Sequence, residues 1–203
     1  MTGIILEDEV LGALRRRGVR VPEYAVLESP EEARDLDLDP PYVVKLLHPE
    51  VTHRAREGAI RTAVPSRRDV EEFSRALLKR WPDGRVMVQR HVDTVGGVEA
   101  FLGIKRDPTF GPVILLGLGG GLVEELGAYT VRRPPLEPEE LERALRRVPG
   151  GRSLLSELGA KNLCDVAHRA LRAYREEGWT ELDVNPLLLR DGEAMALDGL
   201  ARK

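Results

Sequence analysis

Two periodicities alternate along this chain. Apolar residues recur at helical spacing over residues 7–17, 67–81, 138–147 and 162–177. Short apolar or alternating runs over 24–27, 42–47, 59–64, 85–92, 98–105 and 112–118 predict strands. The punctuation agrees with the pattern. Residues 7–17 begin with acids, end with arginines and meet Gly18, a helix with a stop. Ser29, Pro30 and Glu32 form a capping-box start for a brief helix that ends before Pro40-Pro41. In the second helix Val70, Phe73, Ala76, Leu77 and Trp81 make one apolar stripe, most simply core. Pro149-Gly150-Gly151 reads as a flexible break, and Gly178 ends the last helix.

The densest signal follows that helix, in WTELDVNPLLLRDGEAMALDG. Asp191-Gly192 between two apolar runs predicts a two-residue hairpin loop. Its register sets Arg190 against Glu193, Leu189 against Ala194, Leu187 against Ala196 and Asn185 against Asp198. With a period of two, Asp183, Asn185 and Asp198 share a face. The flanking Leu, Val, Ala and Met predict a strand pair buried on both sides. Two side-chain oxygens in that setting need a partner, since a buried unsatisfied polar group costs about 1–3 kcal/mol. They can hydrogen-bond each other, or they can hold a hard cation such as Mg²⁺, which takes carboxylates, phosphate and water.

Composition narrows the class. Over 203 residues, 42% are apolar and 32% charged, enough chain for a real core in one large or two small domains. A net charge of -3 argues against a general nucleic-acid binder. One cysteine excludes a disulfide framework. No apolar run approaches the ~18 residues of a membrane span, and no secretory leader is legible, so a cytoplasmic location is expected.

Several weaker features point the same way. Lys45 lies inside the apolar run YVVKLL, where it either snorkels at an edge or sits over a nucleotide phosphate. The loop from His48 to Gly58 carries His53, Arg54 and Arg56 and precedes another strand, as a phosphate-covering lid would. Gly117-Leu-Gly119-Gly-Gly-Leu122 fails the dinucleotide fingerprint, and no P-loop lysine motif follows it. Its amides can cradle an anion, or its glycines can allow close packing. Cys164 and His168 have a ligand-pair spacing, but no second pair accompanies them and a structural reading is favoured. No Ser-His-Asp, Cys-His or zinc-protease arrangement is present. Together these residues suggest Mg-nucleotide chemistry without a P-loop.

GVEAFLGIKRDPTFGPVILLGLGGGLVEE, then TVRRPPL, then ELDVNPLLL and ALDG, resemble the ATP-grasp beta subunit of ADP-forming acyl-CoA (acetyl-CoA) synthetases. LRRRGVRVPEYAVLESPEEA resembles that family's N-terminal region, so the likeness covers nearly the whole chain. The hairpin is also similar to the end of succinyl-CoA synthetase beta chains. The resemblance implies an α/β ATP-grasp fold of two α+β subdomains, 1–90 and 91–203, with a nucleotide cleft between them. It implies an acid-thiol ligase subunit that moves phosphate between a phosphohistidine and ADP or ATP with Mg²⁺. Its expected partner is a CoA-binding alpha subunit in an alpha2beta2 hetero-oligomer.

On the same resemblance, Asn185 and Asp198 are metal ligands, and Asp183 meets the incoming phosphohistidine. His53 is a second phosphate carrier, and Lys45, Arg54, Gly58, Gln89 and Glu99 are nucleotide-side residues. The loop departs from the family pattern, with Arg54 for Lys, Arg56 for Asp and Ala59 for Gly. The hinge reads Gln89-Arg90-His91 where the family carries Gln-Glu-Met. These departures support a competing class, a non-catalytic nucleotide-binding or scaffolding subunit, which the intact Asp183, Asn185 and Asp198 oppose.

Overall fold

The computed structural model describes residues 3–120 and 127–203. The chain divides into two compact units, one of residues 22–93 and one that joins 1–21 to 94–203. It opens with β1 (Ile4–Ile5) and α1 (Glu7–Arg16), which belong to the latter. The division therefore differs from the expected halves 1–90 and 91–203. The later boundary is close to the expected one, but the first residues fold with the distant half of the chain.

The 22–93 unit contains β2 (Tyr24–Leu27), a 3-10 helix (Pro30–Asp35), β3 (Tyr42–Leu47), α2 (Arg54–Glu57), β4 (Ile60–Val64), α3 (Arg67–Arg80) and β5 (Arg85–Arg90). Its four strands form an antiparallel sheet in the order β2-β5-β3-β4. The Ser29 backbone N–H and hydroxyl both donate to Glu32, the contact expected of the capping box, but the segment winds as a 3-10 helix. α3 starts at Ser66, whose Oγ accepts from the Asp69 N–H at 3.2 Å. Its stripe of Val70, Phe73 and Leu77 packs with Tyr42, Val44, Leu46, Val86 and Val88 in one core. Burying each large side chain there contributes about 1.5–3 kcal/mol.

The other unit continues with β6 (Val98–Asp107), β7 (Gly111–Leu118), β8 (Tyr129–Arg132), α4 (Pro138–Leu145), α5 (Gly151–Leu158), α6 (Ala160–Glu176), β9 (Glu181–Arg190), β10 (Glu193–Ala196) and β11 (Leu200–Arg202). These strands and β1 form one antiparallel sheet in the order β1-β11-β9-β6-β7-β8, with β10 also on β9. β1 pairs with β11, and α1 packs on α6 and β11. These contacts, invisible to local pattern, draw the N-terminus into this unit. Gly150-Gly151 leads directly into α5, whose Leu154 is fully buried, so the expected flexible break is a helix start. The expected segment of residues 123–133 lies partly outside the described residues; its end forms β8.

An exposed ion-pair cluster links the 3-10 helix to α3. Arg34 and Arg75 both hydrogen-bond Glu71, at 2.7–2.9 Å, and these bonds pull its carboxyl down to about 2. A carboxylate depressed in the folded state stabilises fully above its unfolded value, about 4.3, and loses that effect as pH falls through about 2. Glu71→Gln is therefore expected to lower the urea midpoint at pH 7, with the deficit shrinking as pH is taken from 5 toward 2. Urea titrations at several acid pH values check this; a pH-independent deficit would contradict the assignment.

Candidate functional site

β9 is central, lying between β6 and the β10 and β11 segments. Glu193 pairs with Arg190, Ala194 with Leu189 and Ala196 with Leu187, the register read from the Asp-Gly loop. Beyond a gap at residues 197–199, Leu200 pairs with Asp183 and Arg202 with Glu181. The offset is the same on both sides, and the Leu197 N–H donates to the Pro186 carbonyl at 3.0 Å. Asp198 consequently stands opposite Asn185, although its own segment has left the strand.

On the other side of β9 the register against β6 shifts, with Ala100 opposite Leu187 but Leu102 opposite Val184. Asn185 and Pro186 together face the single residue Phe101, so β9 bulges there. The sequence explains the place: Pro186 has no N–H for the ladder, and within a central strand proline is accommodated at a bulge. Leu182 and Val184 are buried, while Asp183 is half-buried and Asn185 exposed on the alternate face. This corrects the expectation of a polar pair buried on both sides. Asn185 is exposed and Asp198 half-buried, so burial alone does not force them to pair with each other.

The glycine run reaches this bulge from β7. The Gly119 N–H donates to the Glu99 carbonyl at 2.7 Å, extending the β6–β7 pairing. A Cβ on Gly119 would stand 2.7 Å from the Ala100 carbonyl oxygen, and one on Gly117 would strike the Ala128 carbonyl. These two positions allow close backbone approach. Gly120 then turns with φ +94° and donates its N–H to Asn185 Oδ1 at 3.1 Å. The Glu99 carboxylate lies beside it, 3.9 Å from where a Gly120 Cβ would be. Glu99, Gly120 and Asn185 thus meet at one end of the sheet. Gly121 and the residues to 126 lie outside the described residues.

Asp183 pairs with Gly103 on β6 and Leu200 on β11, and its Oδ1 lies 3.3 Å from where a Gly103 Cβ would be. Two residues earlier on the same face, Glu181 takes Lys105 at 2.8 Å and Arg202 at 3.1 Å. Its charge is balanced by those cations. Among the described residues no group of three His, Cys, Asp or Glu side chains is placed to hold a metal ion. Asn185 and Asp198 offer two oxygens, a set that fits Mg²⁺, which keeps several waters and takes phosphate oxygens for the remainder. The amide oxygen has a second lone pair beyond the one used by Gly120.

In the 22–93 unit, β3 is an inner strand between β5 and β4. Lys45 is 4% exposed there, opposite Ile60 and Met87, so the edge-snorkelling alternative does not describe it. Val43 opposes Gln89, which places the buried Gln89 one pair away on the same face. His53 is exposed at the start of α2 and makes no side-chain cap bond. Arg54 Nε donates to the Leu46 carbonyl at 2.9 Å, tying the turn to β3. Gly58 ends the turn with φ +65°, in the left-handed region that glycine tolerates. Arg90 is exposed and lies 3.6 Å from Glu23.

Cys164 and His168 do not act as a ligand pair. His168 Nε2 accepts from the Leu136 N–H at 2.9 Å, and Cys164 is buried in α6. Burial, helped by Asp165, Glu137 and Glu139, pushes the Cys164 thiol up to about 11.

Two α/β units on antiparallel sheets, one bearing an oxygen-donor set and the other a buried lysine and a basic histidine-bearing turn, define an ATP-grasp protein. Residues 2–202 match the ATP-grasp domain, and the chain belongs to that family. It is 32% identical over 200 residues to an ADP-forming acetate–CoA ligase I of Archaeoglobus fulgidus, covering 91% of this chain and 29% of that protein. It is 27% identical over 209 residues to the beta subunit of ADP-forming acetate–CoA ligase I of Pyrococcus furiosus, covering 96% of this chain and 89% of the subunit. The chain thus spans under a third of the first relative and most of the second. A dinucleotide-forming acetyl-coenzyme A synthetase 1 from Candidatus Korarchaeum cryptofilum, solved with coenzyme A and Ca-AMPCP, superposes with a TM-score of 0.85 at 27% identity, covering 98% and 93% of the two chains. A second structure of it holds Mg-AMPPCP, with its phosphohistidine segment pointing towards the nucleotide site; the TM-score is 0.79 at 26% identity, over 98% and 92%.

Gly119→Ala is expected to destabilise the 94–203 unit by about 1–3 kcal/mol, because a backbone carbonyl cannot yield to the new methyl group. Thermal and urea unfolding measure it, and wild-type stability would show that the close approach is not required.

Proposed function

We propose that this chain is the nucleotide-side part of an ADP-forming acyl-CoA synthetase of the acetate–CoA ligase type. It would pass phosphate between a histidine on a CoA-binding alpha partner and ADP, within an alpha2beta2 assembly. The observation that carries this reading is the placement of Asn185 opposite Asp198 at the β9 bulge, with Asp183 on the same face. Mg²⁺ held by Asn185 and Asp198 would neutralise phosphate charge. Asp183 receives the partner's histidine and orients its imidazole. Glu99 and the Gly120 turn shape the neighbouring surface, and Lys45 and Gln89 are the proposed nucleotide-side residues of the 22–93 unit. In the forward step the phosphorus–nitrogen bond of the phosphohistidine breaks as a bond to the terminal ADP oxygen forms. Nucleotide and Mg²⁺ in the Korarchaeum relative support the substrate class.

Asp198→Ala is expected to lose Mg-dependent ADP binding at least tenfold while retaining its unfolding temperature, read by calorimetry. Mixing the chain with its CoA-binding subunit should give ATP from acyl-CoA, phosphate and ADP, where the isolated chain gives none. A second reading, a non-catalytic nucleotide-binding subunit, is favoured by one observation: Arg54, which replaces the family lysine, is tied to the Leu46 carbonyl. Complex formation without turnover would select it.

His53 is the proposed second phosphate carrier, with Arg54 and Arg56 as flanking cations. His53→Ala should stop ATP formation yet leave Mg-ADP binding and phosphorylation of the partner's histidine intact. Near-normal ATP synthesis in that variant would mean that the partner's histidine reaches Asp183 unaided.

A further inference from the structure

We propose that the cleft between the Pro134-Pro135 turn and α6 binds a small organic carboxylate with a short hydrocarbon body. The cleft measures about 490 Å³, within the size range of small-molecule sites. His168, Arg172 and Arg175 line it from α6 at helical spacings of four and three, so they project on one face. The two prolines form the opposite wall.

The charges in the cleft do not balance. Its one acid, Glu176, is already paired with Arg17 at 2.8 Å. Arg16 and Arg17 both take Glu177, which closes that cluster on itself. Arg172 and Arg175 are exposed and have no ion-pair partner among the described residues. Two guanidinium forks on one wall suit a carboxylate, which accepts two parallel N–H bonds. His168 adds a donor. Its Nε2 accepts from the Leu136 N–H at 2.9 Å, which leaves Nδ1 as the ring nitrogen that can donate. The same bond fastens the proline turn to the helix, which makes the cleft a formed feature. Leu171 and the two prolines supply carbon surface that an inorganic anion would not use. An anion with a hydrocarbon body satisfies both halves of the lining.

None of these residues belongs to the Asn185 and Asp198 site or to the 22–93 unit, so this proposal and the nucleotide reading can fail separately. The test is calorimetric titration of the 203-residue chain with sodium butyrate at constant ionic strength. Inorganic phosphate is titrated in parallel, and the butyrate titration is repeated with saturating Mg-ADP. Butyrate is expected to saturate a single site with a Kd on the order of millimolar, as suits so small a ligand. Arg172→Gln/Arg175→Gln should weaken it at least tenfold without changing the unfolding temperature. Phosphate should bind more weakly than butyrate, and Mg-ADP should not displace it. The proposal is overturned by no saturation in the wild type, by equal affinity in the variant, by phosphate binding as tightly as butyrate, or by displacement with Mg-ADP. If the double variant unfolds early, Arg172→Gln alone is read by the same criteria.

Discussion

The candidate metal and phosphate site depends on one constraint, the register of β9. A strand alternates its side chains with period two, so a slip of one residue would turn Asp183 and Asn185 into the packed face and expose Leu182 and Val184. Three features hold the register. The Asp191-Gly192 loop fixes the β9–β10 pairing, with Asp191 at φ 53° and Gly192 at φ 75°, both in the left-handed region such a loop needs. The buried Leu187, Leu189, Ala194 and Ala196 penalise any slip. Beyond the gap at 197–199, β11 resumes with the same offset, so Asp198 arrives opposite Asn185.

The second constraint is imposed by Pro186. Without an N–H it cannot complete the ladder with β6, and the sheet absorbs it as a bulge of two residues against Phe101. The bulge puts Asn185 where it can receive the Gly120 N–H. The glycine turn reaches it, because Gly117 and Gly119 let β7 come close enough to the neighbouring backbone to bring the Gly120 N–H to the Asn185 side chain, which stays exposed. The glycine run thus acts through its packing and one amide, within the residues described.

The hairpin pairing was fully legible in the sequence, since Asp-Gly between apolar runs has one common solution. The α/β class and the helices around Phe73 and Ala167 were legible from periodicity. Burial of the site was less legible: apolar neighbours in sequence at Leu187–Leu189 are buried, but the bulge breaks the alternation between them and Val184. Pro186 was the available signal for that break. Residues 1–21 join the 94–203 unit because β1 finds its partner at β11, at the far end of the chain, and no local pattern encodes so distant a pairing. The short strands β8 and β11 exist only through such pairing. α5 was obscured by Gly150-Gly151, where Gly150 at φ 69° is its N-cap residue.

Lys45 and the turn carrying His53 sit only a few residues apart in sequence but on structure of very different firmness. Lys45 belongs to an inner strand bonded on both sides and is buried there. The turn is tied to that strand by the Leu46–Ala59 backbone bond and by Arg54 on the Leu46 carbonyl, and to α3 by Arg80, which meets the Glu57 carbonyl at 3.0 Å and its carboxylate at 3.1 Å. Exposed ion pairs of this kind contribute about 0–1 kcal/mol, and α2 itself buries no side chain. Opening the turn therefore costs far less than disturbing β3, and local opening follows the regions with the least buried surface. The contrast in firmness follows from sequence: an apolar run builds β3, while the charged residues of α2 leave it no buried side chain.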